Sequence, residues 1–402
     1  MEDDMMFASA TATENNIDAV TEALTREIKA QLSDVSLDFG LIFLSPHFTL
    51  AATQIVRHIQ ENLEIDLLIG CTGEGIIGRA VEIEREPAIS LLVGHLPSVT
   101  LNHFSLEPLD WDDVLQDKEL FYQVLNLTAT PKFCVLMADP FSVPMDKVLD
   151  AFNRYLPDTP LIGGMASGAR SRGGNILIAN QRLLTRGAVG VAFSGDVDVD
   201  VIVSQGCRPI GQPIYVTQAE QNVLYSLEDE VPLLRLQQML DSVSLEDKQL
   251  LRTNGLFVGR AIDHSQEDLG RGDFLIRSLM GVDEQKGTIS IGDYIQNGER
   301  IQLHVRDAST AVEDLEMMLS PQMFFGKPQG AMLFSCNGRG TRLYDHPNGD
   351  INTIQSVLGG VDLAGFFCAG EIGPIGGKSF LHGHTACMAL FRTPDGVQLD
   401  EL

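Results

Sequence analysis

The stretch FFCAGEIGPIGGKSFLHGHT, Phe366 to Thr385, crowds glycines together with a cysteine, a glutamate, a lysine and two histidines. Part of it occurs earlier in the chain. IGCTGEGIIG, Ile69 to Gly78, carries the same Cys-x-Gly-Glu core, Cys71 and Glu74 matching Cys368 and Glu371. The surroundings repeat as well. GLIFLS from Gly40 reads as a buried strand, the segment with Leu50, Ile55, Ile59 and Leu63 as an amphipathic helix, and IDLLIG from Ile65 as a second strand entering the glycine loop. The same order returns as FCVLMADP, a helix around Val148 and Phe152, then PLIGGMASG. It returns again as GAMLFSCNG, a helix near Ile354 to Leu358, then LAGFFCAGE. A further strand follows each loop: AISLLVG, GAVGVAFSG and TACMALF. Three copies of strand, helix, strand, glycine loop and strand predict a mixed α/β fold, with too few copies for a solenoid.

Other segments frame these copies. Ile17, Val20, Leu24, Ile28 and Leu32 recur at helical spacing, which places a helix before the first strand. Between copies two and three lies a region of different character, with GCRPIGQP, an acidic helical stretch around Leu233 to Leu240, and the alternating strands GTISIGDYI and RIQLHVRD. Val312, Leu315 and Leu319 predict one more helix, capped by Ser309 or Thr310. At 402 residues the chain exceeds what one core usually supports, so two domains, or one large duplicated one, are expected, with a boundary near Gly206.

Composition narrows the function. A net charge of −27 opposes binding to nucleic acid or to anionic membrane surfaces. No apolar run approaches the ~18 residues of a membrane span, and the acidic start is unlike a secretory signal. A cytoplasmic protein is expected. Its six cysteines, scattered without a CxxC pair, should be free thiols.

Four chemistries were weighed for the glycine loops. GEGIIG satisfies a dinucleotide fingerprint, but RAVEIEREPA behind it alternates and meets Pro87, which suits a strand or hairpin better than the helix that fingerprint needs. GPIGGKS resembles a phosphate loop, yet Ile372 stands where its leading glycine belongs and a strand pattern follows. His382 and His384 with Cys387 or Cys368 lack a second tight ligand pair, so neither metal nor cofactor is expected. Cys336, just past a strand, is a possible nucleophile with His382 as its base; this cysteine-dependent hydrolase or transferase remains an alternative.

The remaining reading is a binding pocket. Scarce basic residues gather after the loops: Arg79, Arg170, Arg172, Arg339 and Lys378. Arg339 could clamp a carboxylate while Glu74 or Glu371 meets an ammonium, which suits an amino acid. The bland counterpart is that these charges pair with one another.

GAMLFSCNGRG, followed by LAGFFCAGEIGPIGGKSFLHGHTACMALF, resembles the C-terminal signature of the FIST domain family, named for F-box and intracellular signal transduction proteins. LLIGCTGEGIIG, TPLIGGMASG and GAVGVAFSG resemble its N-terminal half. The resemblance implies a sensory, small-ligand-binding module, with amino acids or their derivatives as ligands. Eukaryotic relatives join it to an F-box. The stretch before the first strand is too short for one, so a separate signalling or ubiquitin-type partner is expected.

The expected architecture is two mixed α/β domains: a helical extension over 1–38, a FIST N-terminal domain over 39–205 and a FIST C-terminal domain over 206–402. No catalytic residue is assigned. The expected ligand-binding residues are Cys71, Thr72, Glu74 and Ser167 from the first half, and Ser335, Cys336, Asn337, Arg339, Glu371 and His382 from the second. Ser167 takes the place of Glu74 and Glu371 in copy two, so one pocket wall should differ. On the clamp reading, Arg339→Ala abolishes ligand response and spares the fold. A further alternative is an adaptor whose acidic face, Glu228 to Glu230 with Glu246 and Asp247, recruits a basic protein.

Overall fold

The fold is that of a computed structural model, and the structure describes residues 4–32, 35–107 and 111–394. The expected domain end at Leu402 lies outside them. The chain forms two compact units. One holds the residues up to Val203, then Leu315–Leu381 and the residues from Thr385 onward; the other is Ser204–Asp314 with His382–His384.

The first unit contains the three copies, and each is longer than the sequence pattern suggested. Copy one runs through strand Met6–Ala12, helix Ile17–Gln31, strand Leu37–Leu44, helix Ala52–Leu63, strand Ile65–Thr72, the hairpin Gly75–Gly78 and Glu82–Glu84, and strand Ile89–His95. Copy two repeats this order with strands Val99–Leu106, Phe133–Ala138 and Leu161–Met165, the hairpin Leu177–Ala179 and Arg182–Leu184, and strand Ala188–Gly195. Copy three begins at Asp198–Gln205 and resumes with Gly330–Cys336, Leu363–Cys368, the hairpin Glu371–Ile375 and Lys378–His382, and Thr385–Arg392. The opening strand of copy one carries no large apolar residue beyond Met6 and Phe7. Met6–Ala12 (MFASATA) reads as extension, because alanine and serine carry no hydrophobic periodicity.

Three six-stranded sheets result, and they exchange hairpins in a cycle. Within each sheet the first two core strands pair in parallel, as Phe43 with Cys71, Met137 with Gly164 and Cys336 with Cys368. That leaves one edge of the second strand open, and another copy closes it. The hairpin of copy one pairs with Leu363–Cys368 through Phe366 opposite Ile76. The hairpin of copy two pairs with Ile65–Thr72 through Ile178 opposite Gly70. The hairpin of copy three pairs with Leu161–Met165 through Glu371 opposite Gly164. Covering an exposed edge removes a row of unpaired backbone groups, so the exchange locks the copies into one body. It also explains the break in the cysteine pattern. A Cβ on Gly164 would come within 2.3 Å of the Cys368 sulfur, so only one of the two positions can hold a thiol.

Each sheet buries both faces. One face of every sheet enters a shared core where phenylalanines of the three copies meet. Phe43 packs against Phe366 at 4.7 Å between ring centres, and Phe133 meets Phe391 edge-on at 5.9 Å. The other face is covered by that copy's own helices, as where Leu24, Ile28, Ile55 and Ile59 cover the first sheet. Strands buried on both sides read as the nearly continuous apolar runs seen in the sequence.

The second unit is a closed six-stranded barrel built from strands between Cys207 and Arg306. In chain order it interrupts copy three, between that copy's opening strand and its first helix. Leu236 and Met239 of helix Pro232–Ser242 join Ile214, Leu303 and other barrel residues in its core. The interior leaves only about 10 Å³, no more than a single water would need. This barrel is packed rather than hollow. The helix Ala308–Leu319 is capped by Asp307, whose Oδ1 accepts from the Ser309 N–H at 3.1 Å, in place of the Ser309 or Thr310 cap expected.

Candidate functional site

In the three-copy unit the glycine loops meet, and backbone bonds tie each to its neighbour. The Ser167 N–H donates to the Thr72 carbonyl at 3.1 Å and the Ala369 N–H to Met165 at 2.9 Å, while the strand entering the third loop pairs with the hairpin that follows the first, Phe366 opposite Ile76. The Ser167 hydroxyl joins all three copies: it accepts from the Glu74 N–H at 2.8 Å and donates to the Phe367 carbonyl. A glutamate would be too long to do this, which is a physical reason for copy two to differ here. Thr72 is buried, with its hydroxyl accepting from the Ile176 N–H at 3.0 Å.

On the outer side of this junction Glu74 forms a salt bridge with Arg342, both side chains about one-third exposed. Arg342 also donates to the Asn337 carbonyl, so one guanidinium bridges the first glycine loop and the segment that follows strand Gly330–Cys336 of copy three. Attraction to Glu74 is the main cause raising the pKa of Arg342.

Arg339 lies behind this junction, inside the protein. It is fully buried. Its Nε and Nη2 grip Asp350, with Nη2 to Oδ1 at 2.6 Å, and Nη2 also donates to the Tyr344 hydroxyl at 2.9 Å. Ser335 and Tyr344 each donate a further bond to Asp350, both at 2.7 Å. Burial opposes the charge of Asp350, but Arg339 and these hydroxyls overcome it and hold the carboxyl below its ordinary range. Arg339→Ala would strand a buried carboxylate, so the expectation that it spares the fold fails on burial alone. The hairpin of copy one closes the cluster: Glu82 accepts from the Ile351 N–H at 2.9 Å, and Glu84 accepts from the Thr341 N–H at 2.7 Å. Burial first, and Asp350 second, push the Glu82 carboxyl up to about 8.

Glu371 is also fully buried. Burial drives its pKa well up, against the Thr385 N–H, the Cys336 thiol and the charge of Arg339. Among the described residues its Oε1 has no hydrogen-bond partner, nor has Nη1 of Arg339. The Cys336 sulfur accepts from the Gly338 N–H at 3.4 Å. Cys71, Cys368 and Cys387 are inert by burial, which raises all three thiols. None of the six cysteines forms a disulfide among the described residues.

Comparison with known proteins matches residues 38–230 to the FIST N domain and residues 232–374 to the FIST C domain. The chain belongs to the FIST family. FIST domains are associated with sensing in signal transduction. An uncharacterized protein of Mycobacterium tuberculosis (strain ATCC 25618 / H37Rv) is 38% identical over 342 residues, 85% of this chain and 87% of that protein. Another, from Mycobacterium bovis (strain ATCC BAA-935 / AF2122/97), is 35% identical over 368 residues, 91% and 93% of the two chains. A cyanuric acid hydrolase from A. caulinodans aligns over 97% of this chain and 99% of its own, with a TM-score of 0.36 and 9% identity. A likeness that slight assigns no activity. The two FIST segments meet inside the barrel, between strand Val223–Leu227 and helix Pro232–Ser242.

Of the FIST residues singled out in the sequence, Cys71, Thr72, Glu74, Ser167, Ser335, Cys336, Asn337, Arg339 and Glu371 belong to the three-copy unit, whereas His382 groups with the barrel. Arg342, Tyr344, Asp350, Glu82 and Glu84 were missed. Arg342 offered a signal, standing three residues past Arg339 in NGRGTR. Glu82 and Glu84 offered none, because their partners lie more than 250 positions away. No helix among the described residues is long and apolar enough to cross a membrane.

Proposed function

We propose that this FIST chain is a small-molecule sensor of signal transduction that holds an amino acid or a derivative where the three glycine loops meet. The supporting observation is the Glu74–Arg342 salt bridge between the first glycine loop and the segment after strand Gly330–Cys336 of copy three. An exposed pair of this kind contributes only about 0–1 kcal/mol, so opening it is cheap. A zwitterion replaces both partners at once, its carboxylate on the Arg342 fork and its ammonium on Glu74. On this reading Arg342, and not Arg339, is the clamp, and Arg339, Asp350 and Ser335 form the rigid floor behind it. Opening the bridge frees Arg342 from Glu74 while Asn337 still tethers it. Altered loop geometry at the junction is then the signal that a separate protein reads.

The test is a thermal-shift screen of amino acids, organic acids and nucleotides, repeated on Arg342→Ala. A zwitterionic amino acid raises the melting temperature in a saturable way. Arg342→Ala loses that response while its own melting temperature changes by only about 2 °C. A response retained in Arg342→Ala, or seen with no zwitterion, defeats the proposal.

A further inference from the structure

Copy two opens a cavity of about 890 Å³ at the C-terminal end of its strand Phe133–Ala138. In copy three the matching stretch after Gly330–Cys336 is longer, and its Arg339 and Tyr344 fold inward onto Asp350. In copy two the chain passes directly from Ala138 through 139–144 into helix Met145–Tyr155, and that space stays open. A volume of this size falls in the range that small-molecule sites occupy.

The walls are of two kinds. Trp111 and Phe141 supply flat apolar surface, and Arg172 and Arg186 supply positive charge. Neither arginine forms an ion pair among the described residues, whereas Lys147, on the same cavity, is already held by Asp112 at 2.7 Å. The remaining charge in the lining is Asp139, a fully buried carboxylate that accepts from the Ser142 hydroxyl at 2.6 Å and the Asn175 amide at 3.0 Å. Among the described residues, two guanidinium groups without an ion pair therefore line the cavity beside two carboxylates, Asp112 and Asp139, whose bonds are already made. In a chain of net charge −27, two cations on one concave surface without carboxylate partners stand out as a local reversal of sign.

From this we infer a second ligand site, distinct from the loop junction: the cavity lined by Trp111, Phe141, Arg172 and Arg186 binds a small anion that carries a planar apolar body. The arginine forks take the anionic head by paired hydrogen bonds, and the body stacks on Trp111. A carboxylate and a phosphate ester share this chemistry. The inference does not depend on the zwitterion reading.

Trp111 is the single tryptophan of the chain, so its emission reports this cavity. The experiment titrates the full-length protein with benzoate, phenyl phosphate, inorganic phosphate and neutral benzamide, following Trp111 fluorescence. Benzoate or phenyl phosphate, whichever head group fits, gives a saturable change, and benzamide binds at least about tenfold more weakly. Arg172→Ala and Arg186→Ala, both at exposed positions, each weaken binding about tenfold without altering the unliganded emission. Trp111→Phe removes the signal, and calorimetry on that variant still detects binding, weakened by lost stacking. The site is refuted if neither aryl anion saturates, if benzamide binds equally, or if both arginine variants bind like the wild type. Arg342→Ala should leave these titrations unchanged, which separates failure here from failure of the junction proposal.

Discussion

Replacing Glu82 by glutamine should stabilise the three-copy unit at neutral pH and do little in mild acid. Glu82 is 6% exposed and lies near Asp350, so its carboxyl ionises in the fold only at about 8, against an ordinary 4.5. A carboxyl whose pKa is raised by folding supports the native state fully below 4.5. It loses that support as pH rises toward 8, because only the unfolded chain gives up the proton freely. Holding the proton costs about 1 kcal/mol at pH 5 and about 3 kcal/mol at pH 7. Glutamine carries no charge, and its carbonyl oxygen can still accept from the Ile351 N–H, bonded to Glu82 at 2.9 Å. Relative to wild type, Glu82→Gln should therefore gain about 2 kcal/mol between pH 5 and pH 7. Urea unfolding followed by Trp111 emission measures this directly, since Trp111 and Glu82 belong to the same unit. If wild type and variant change in parallel between the two pH values, Glu82 is ionised in the native state and the reasoning is refuted.

Two further outcomes follow from buried charge. Arg339→Met leaves Asp350 buried and unpaired and should cost about 3–5 kcal/mol in urea unfolding, part of which Asp350→Asn in the same chain restores; a loss under about 1 kcal/mol would mean the pair is not formed. In the barrel, His304 is 1% exposed, with its ring edge against Phe274 at 4.8 Å. Burial lowers its pKa from 6.5 to about 4. The unfolded chain takes up this proton first, so about 3 kcal/mol of barrel stability is lost as pH falls from 6.5 to 4. Titration of the His304 ring by NMR should give a midpoint near 4, and a midpoint above 6 would overturn the assignment.

Within the candidate site, legibility followed distance along the chain. Cys71 with Glu74, and Cys368 with Glu371, could be matched because the same few residues recur in order. The partner of Arg339 was out of reach. Asp350 lies eleven positions on, in the first turn of helix Gly349–Leu358, and only the inward fold of 339–344 turns the guanidinium toward it. Ser167 read as a missing acid, yet its hydroxyl is the bond that joins the three loops.

For the fold, hydrophobic periodicity alone determined the mixed α/β class, the paired strands of each copy and the helices between them, because burying both faces of a strand or one face of a helix is a local demand on composition. Periodicity does not state which edge a hairpin will cover. GEGIIG reads as the start of a hairpin, but its partner, Phe366 in copy three, was settled by the need to close an open edge in another copy's sheet. That choice put Glu82 beside Asp350 and Glu371 opposite Gly164, so tertiary pairing, which no local pattern encodes, decided where the buried charges lie.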